Sequence, residues 1–94
     1  MTQTISKTIL IQNLKGLHAR ATAAFVKTAS SFQSDIEIYK GSQSDLTVSG
    51  KSIMGILMLA VPLGEEITIQ ATGSDAEQAI QALTDLINAR FNEE

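Results

Sequence analysis

The sequence predicts an α+β fold: an open-faced two-layer β-sandwich, with a four-stranded, mainly antiparallel sheet and three helices on one of its faces. Three observations lead there. The hydrophobic period switches repeatedly between two and about 3.6 residues, in the order β-α-β-β-α-β-α. Each predicted strand has one apolar side and each predicted helix one apolar stripe, so sheet and helices solve each other's burial problem as two layers. With 94 residues, 44% of them hydrophobic, the chain suits one domain with one core, spanning residues 1–94.

Residues 5–12 are rich in Ile and Thr, as in a strand. Ile5, Ile9 and Ile11 share one side and Leu10 faces the other. From Ala19 to about Gln33 the period becomes helical, with Ala21, Phe25, Ala29 and Phe32 on one stripe and Thr22 and Val26 beside them. Asp35 to Lys40 alternates, Ile36 and Ile38 against Glu37 and Tyr39. A Gly41-Ser42-Gln43-Ser44 turn then leads to Leu46-Thr47-Val48, which predicts a hairpin. The dense apolar run from Gly50 to Ala60 predicts a short buried helix with Ser52 as N-cap, although Gly55 inside it costs up to ~1 kcal/mol against alanine. Pro62 and Gly64 make a turn, and Ile67, Ile69 and Ala71 point inward from the next strand. Ser74 and Glu77 have capping-box spacing ahead of a helix whose buried stripe is Ala76, Ala79, Ile80, Leu83, Leu86 and Ile87. A split βαβ arrangement suits this order, and it predicts that the loop before the first helix and the start of the second lie at one end.

Composition removes several functions. The absence of cysteine excludes disulfides and thiolate zinc sites, and one histidine with scattered carboxylates supplies no metal-ligand cluster. No cofactor is expected. Seven basic residues against ten acidic ones, a formal charge of −3, disfavour general nucleic-acid binding. No apolar run approaches the ~20 residues of a membrane span, so no membrane insertion is expected. The first eleven residues lack the pattern of a signal peptide, which leads to the expectation of a cytoplasmic protein.

The segment Asn13-Leu14-Lys15-Gly16-Leu17-His18-Ala19-Arg20-Ala21 holds the one histidine of the chain. A neutral imidazole is a nucleophile and can attack phosphorus to form a labile phosphoramidate. If His18 precedes a helix, the amides of Ala19, Arg20 and Ala21 and the helix dipole form an anion site. Arg20 adds a planar cationic fork suited to phosphate oxygens, and Lys15 and Lys27 add positive charge nearby in sequence. The competing plain reading is a surface or capping histidine. Hydrolytic catalysis is disfavoured, because no serine is marked out as its partner.

Gly16-Leu17-His18-Ala19-Arg20, with Phe25 and Val26 beyond it, resembles the active-site segment of HPr, the small phosphocarrier family of the bacterial phosphoenolpyruvate-dependent phosphotransferase system (PTS). Lys51-Ser52-Ile53-Met54-Gly55 resembles the family's second signature, around a regulatory serine. The resemblance implies that His18 accepts phosphate from enzyme I on Nδ1 and passes it to IIA domains, steadied by Arg20. It implies that Leu17, Lys27, Ile53 and Met54 dock partners, although Ile53 and Met54 read equally as core and Lys27 as a solvated charge. It also implies that an HPr kinase/phosphorylase modifies Ser52, beside that serine's plain role as N-cap. The chain would then be a monomeric transfer intermediate and not a catalyst acting on a free substrate. Two rivals remain: a carrier in a nonsugar, nitrogen-type phosphorelay, and a ligand-binding β-α-β regulatory module with His18 incidental. One residue departs from the family pattern. Ala21 stands where the family usually has proline, which predicts a slightly looser helix start with the phosphate site retained.

Overall fold

Alternating strands and striped helices assemble as the periodicity predicts. The computed structural model describes residues 2–41 and 43–92. In chain order the elements are β1 (Gln3–Leu10), α1 (Ala19–Ser30), β2 (Asp35–Lys40), β3 (Val48–Ser49), α2 (Ile53–Leu59), β4 (Glu66–Gly73) and α3 (Ala76–Asn88), with short 3-10 turns at Ser44–Leu46 and Arg90–Asn92. The sheet order is β1-β4-β2-β3, and every neighbouring pair is antiparallel. Register sets Ile9 opposite Ile67, and Ile69 between Lys7 and Ile38. Helix α3 packs over β1 and β4, α2 over β2 and β3, and α1 against both other helices.

One core fills the space between the layers. Ile9, Ile11, Ile36, Ile38, Ile67, Ile69 and Ala71 from the sheet side meet Phe25, Ile56, Leu83 and Ile87 from the helices. The other face of the sheet is a ladder of polar cross-strand pairs. Thr4 and Thr72 hydroxyls lie 3.2 Å apart, Thr8 and Thr68 lie 2.9 Å apart, and Gln70 Nε2 donates to Ser6 Oγ at 3.3 Å. Each pair sits in register, the arrangement through which side chains stabilise adjacent strands.

Four local expectations are corrected. Leu46 belongs to an exposed 3-10 turn and not to a strand, because Thr47 Oγ1 donates back to the Ser44 carbonyl and closes that turn locally. Ser42, in the expected turn, lies outside the described residues. Helix α1 ends at Ser30, short of Gln33, because the carbonyls and amides just beyond it find other partners. Ser31 Oγ donates to the Thr28 carbonyl, and Lys51 Nζ donates to the Phe32 carbonyl at 2.8 Å. The capping box at α3 does not form. Asp75 is the N-cap, and its carboxylate turns away from its own helix to accept the Gln33 and Ser34 amides and the Ser34 hydroxyl. Three donors from the α1–β2 connection outweigh one amide of α3. These bonds, the Ser34 hydroxyl first and the Gln33 amide next, hold the Asp75 carboxyl below its ordinary value.

The fourth correction concerns α2, which is not a buried helix. Only Ile56 and Leu59 enter the core from it, while Ile53, Met54 and Met58 are exposed. Seven residues make two turns, and with 3.6 residues per turn Met54 and Met58 fall opposite Ile56.

Candidate phosphoryl-accepting site

The connection from β1 to α1 is pinned before it reaches the histidine. Gly16 has φ +62°, and a Cβ there would lie 2.3 Å from the Val61 carbonyl oxygen, so only glycine fits. The Leu17 amide donates to that same carbonyl at 2.9 Å, and Asn13 Nδ2 donates to the Gly16 carbonyl at 2.7 Å. Leu17 then inserts into the core, with 4% of its surface exposed. From the other side, Thr22 Oγ1 donates to the Leu17 carbonyl at 3.0 Å. The residue that follows Leu17 is therefore held on both flanks.

That residue is His18, the N-cap of α1. Its extended backbone (φ −75°, ψ 179°) lets the first helical bond run from the Thr22 amide to the His18 carbonyl at 2.8 Å. The Arg20 amide donates to His18 Nδ1 at 3.3 Å, so the imidazole takes the role usually filled by a serine or aspartate oxygen. In this bond Nδ1 is the acceptor, so its lone pair is turned toward the Arg20 amide. The imidazole is half-buried and Arg20 is exposed beside it. No acidic residue lies in the first turn of α1 to offset the positive end of the helix dipole. The imidazole nitrogen and the N-terminal amides of α1 therefore lie together at the surface, with the exposed Arg20 two residues on, and a helix start of this kind suits a small anion.

The other candidate residues do not all gather here. Lys15 is exposed in the pinned loop, but Lys27 belongs to the last turn of α1, roughly 13 Å of helix rise from His18. Leu17, expected on a docking surface, is a core residue. Ser52 is the N-cap of α2, where its Oγ accepts the Gly55 amide at 3.0 Å. A Cβ on Gly55 would come within 3.2 Å of both Ser52 Oγ and Val48 Cβ, so close approach accounts for the glycine inside this short helix.

The two helix starts do not share an end. Lys51, just before α2, bonds to the carbonyl of Phe32, just past the end of α1. Val61, just past the end of α2, bonds to the Leu17 amide at the start of α1. The packed pair α1 and α2 is therefore antiparallel, and Ser52 lies away from His18. The cause is the strand order: β3 runs back to Ser49, opposite Glu37 near the start of β2, before α2 climbs again. What α2 brings toward His18 is its C-terminal half, with Met58, and the loop bearing Leu63; Leu14 lies in the pinned loop itself. These three exposed apolar residues were missed from sequence. The four-residue spacing of Met54 and Met58 opposite Ile56 was the signal for one of them.

Comparison with known proteins places the chain in a family. Residues 5–89 match the family described as "PTS HPr component phosphorylation site". The chain is 46% identical over 89 residues to the phosphocarrier protein HPr of Neisseria meningitidis serogroup A, covering 95% of this chain and 97% of that one. The crystal structure of HPr-C-His from Thermoanaerobacter tengcongensis superposes with a TM-score of 0.88 at 48% identity, over 96% of this chain and 98% of the other. An HPr dimer from the same organism superposes with a TM-score of 0.73 at 48% identity, over 90% and 94%. Fold and site define a small α+β protein with a histidine capping the start of its first helix. The chain belongs to the HPr family, the phosphocarriers of the phosphotransferase system. No helix among the described residues is long and apolar enough to cross a membrane.

Proposed function

We propose that His18 accepts a phosphoryl group from phospho-enzyme I and passes it to IIA domains of the PTS, within the cytoplasm and as a monomer. The observation that carries this reading is the bond from the Arg20 amide to His18 Nδ1 at the start of a helix with no acid in its first turn. Nδ1 holds the lone pair that attacks. As the N–P bond forms, the bond from phosphorus to its donor breaks, and the Arg20 amide is released from the ring to face a phosphoryl oxygen. The amides of the first turn and the Arg20 guanidinium bear the charge that arrives. Because Leu17 and Gly16 are fixed by Val61, little reorganisation accompanies the step.

Partners dock on the outer face of α2 and the loops beside His18, through Ile53, Met54, Met58, Leu14 and Leu63, with Lys27 at the edge of that surface. Leu17 has no part in this contact, since it is buried. Ser52 is a regulatory phosphorylation site for an HPr kinase/phosphorylase. A phosphoserine at that N-cap would place about −1.5 to −2 charge beside Ile53 and Met54, and so weaken docking without disturbing His18 itself.

The decisive experiment is incubation with phosphoenolpyruvate and enzyme I. Wild type is expected to gain an acid-labile phosphate on His18, and His18→Ala none while keeping its circular-dichroism spectrum. A wild-type chain that stays unlabelled overturns the proposal and leaves a ligand-binding module. Offering the labelled protein to sugar-type and nitrogen-type IIA domains then identifies the branch served.

A further inference from the structure

The outer face of α2 carries two of the chain's three methionines, Met54 and Met58, one turn apart. They are 69% and 79% exposed, whereas the inward positions of the same helix, Ile56 and Leu59, are buried. Neither sulfur is needed by the core, and leucine or isoleucine would supply the same apolar surface. The thioether differs from those residues in being oxidisable. The protein has no cysteine, so a two-electron oxidant meeting this surface finds methionine sulfur as its most reactive target.

We infer that Met54 and Met58 form an oxidation-sensitive pair that controls partner docking. The reaction is oxygen transfer from hydrogen peroxide to each sulfur. The peroxide O–O bond breaks and an S–O bond forms, so that the thioether becomes a sulfoxide and the peroxide is reduced to water. Each product replaces a flexible apolar group by a strongly polar acceptor. In free protein that acceptor stays hydrated, so fold and His18 are unaffected. In a docked complex it would be buried against an apolar partner surface, and its desolvation weakens binding. The effect is reversible, because sulfoxide reductases restore the thioether.

The inference rests on the proposed carrier function, and its test keeps the two apart. The full-length protein is treated with hydrogen peroxide and mapped by peptide mass spectrometry, and phosphoryl transfer from enzyme I is then followed. One added oxygen on each of Met54 and Met58 is expected, with KM raised about tenfold and kcat within about twofold. Methionine sulfoxide reductases A and B together should restore the original KM. In the Met54→Leu/Met58→Leu variant, KM before and after peroxide should agree, whatever its starting value. Unchanged KM in wild-type protein carrying both sulfoxides overturns the inference. So does a loss that the reductases leave in place, or one that persists in the leucine variant. Absence of phosphate on the unoxidised control ends the carrier reading and this one together; phosphate there, with no change on oxidation, ends this one alone.

Discussion

The starts of α1 and α2 use the same device for different ends. In each, the N-cap side chain accepts an amide of its own helix: His18 Nδ1 from Arg20, and Ser52 Oγ from Gly55. The first cap is an imidazole, with an arginine two residues on and a backbone braced by Gly16, Leu17 and Thr22. The second is a hydroxyl on a seven-residue helix, whose neighbour Lys51 is engaged with the Phe32 carbonyl. The proposed phosphoryl acceptor thus sits on the braced end, and the proposed regulatory serine on the short one. Because the helices run antiparallel, the two caps lie at opposite ends of the packed pair, and on the proposed function a partner spanning α2 would link them. At about 10 Å, the length of α2 is itself comparable to the screening length at physiological salt.

Removing the brace should produce the largest effect. Gly16→Ala combines a left-handed φ with a Cβ 2.3 Å from a backbone oxygen, so about 3 kcal/mol of stability should be lost. A melting curve would register that as roughly 4–8 °C per kcal/mol in a chain of this size. Gly41→Ala is the matching control: φ is +56° there, but no atom lies within 4 Å of the added Cβ, and about 1 kcal/mol is expected. Equal losses at the two positions would mean that the contact with Val61 does not hold the histidine loop.

The second cap should be softer. Ser52→Ala removes the bond to the Gly55 amide and should cost about 1 kcal/mol. Ser52→Asp keeps a capping oxygen and adds charge, so its melting temperature should stay near wild type. Its KM for enzyme I should rise several-fold with kcat little changed, and the difference should shrink as salt is added. A Ser52→Asp protein that accepts phosphate as readily as wild type would separate Ser52 from docking.

Helix α3 sharpens the contrast, since its N-cap carboxylate serves a different segment. The Asp75 pKa is depressed below 3.8 by its bonds to Ser34 and Gln33. In the pH range between the folded and unfolded values, the unfolded chain binds the extra proton, so stability rises with pH there. The contribution is complete above about pH 4 and is lost as pH falls through the folded value. Asp75→Asn should therefore flatten the acid limb of the stability–pH profile and be less stable than wild type at pH 7. An unchanged acid limb would show that the strap to Gln33 and Ser34 does not contribute to stability.

Much of this was legible in the residues, for identifiable reasons. Strong alternation at Asp35–Lys40 and in the Ile67–Ala71 run marked two strands and their inward faces, and the stripe from Ala76 to Ile87 marked α3. The histidine's place before a helix followed from glycine ahead and alanine-rich periodicity behind. What escaped were choices between partners distant in sequence. Asp75 serves Ser34 instead of α3, Lys51 serves Phe32, and Val61 anchors Leu17; no local pattern encodes such preferences. The all-apolar run at Ile53–Leu59 hid its exposed side for a related reason. Hydrophobicity alone does not distinguish a surface that faces the core from one that awaits a partner.

The smallest expected effect is at Ala21, and it isolates what the family's usual proline contributes. The helix begins at Ala19 without it, and Ala21 is fully buried in the third helical position. The first backbone bond of the ladder starts one residue later, from the Thr22 amide to the His18 carbonyl, so a proline at 21 would remove none of those bonds. Fixing φ would mainly restrict the unfolded chain, a gain of about 0.4–1 kcal/mol if the ring fits. Because Ala21 is packed in the core, crowding of the added ring offsets part of that gain. Ala21→Pro should thus change stability by less than about 1 kcal/mol and leave phosphate uptake at His18 within about twofold. A large increase in transfer rate would mean that alanine, despite permitting the helix start, leaves the Arg20 amide poorly aimed at the phosphoryl group.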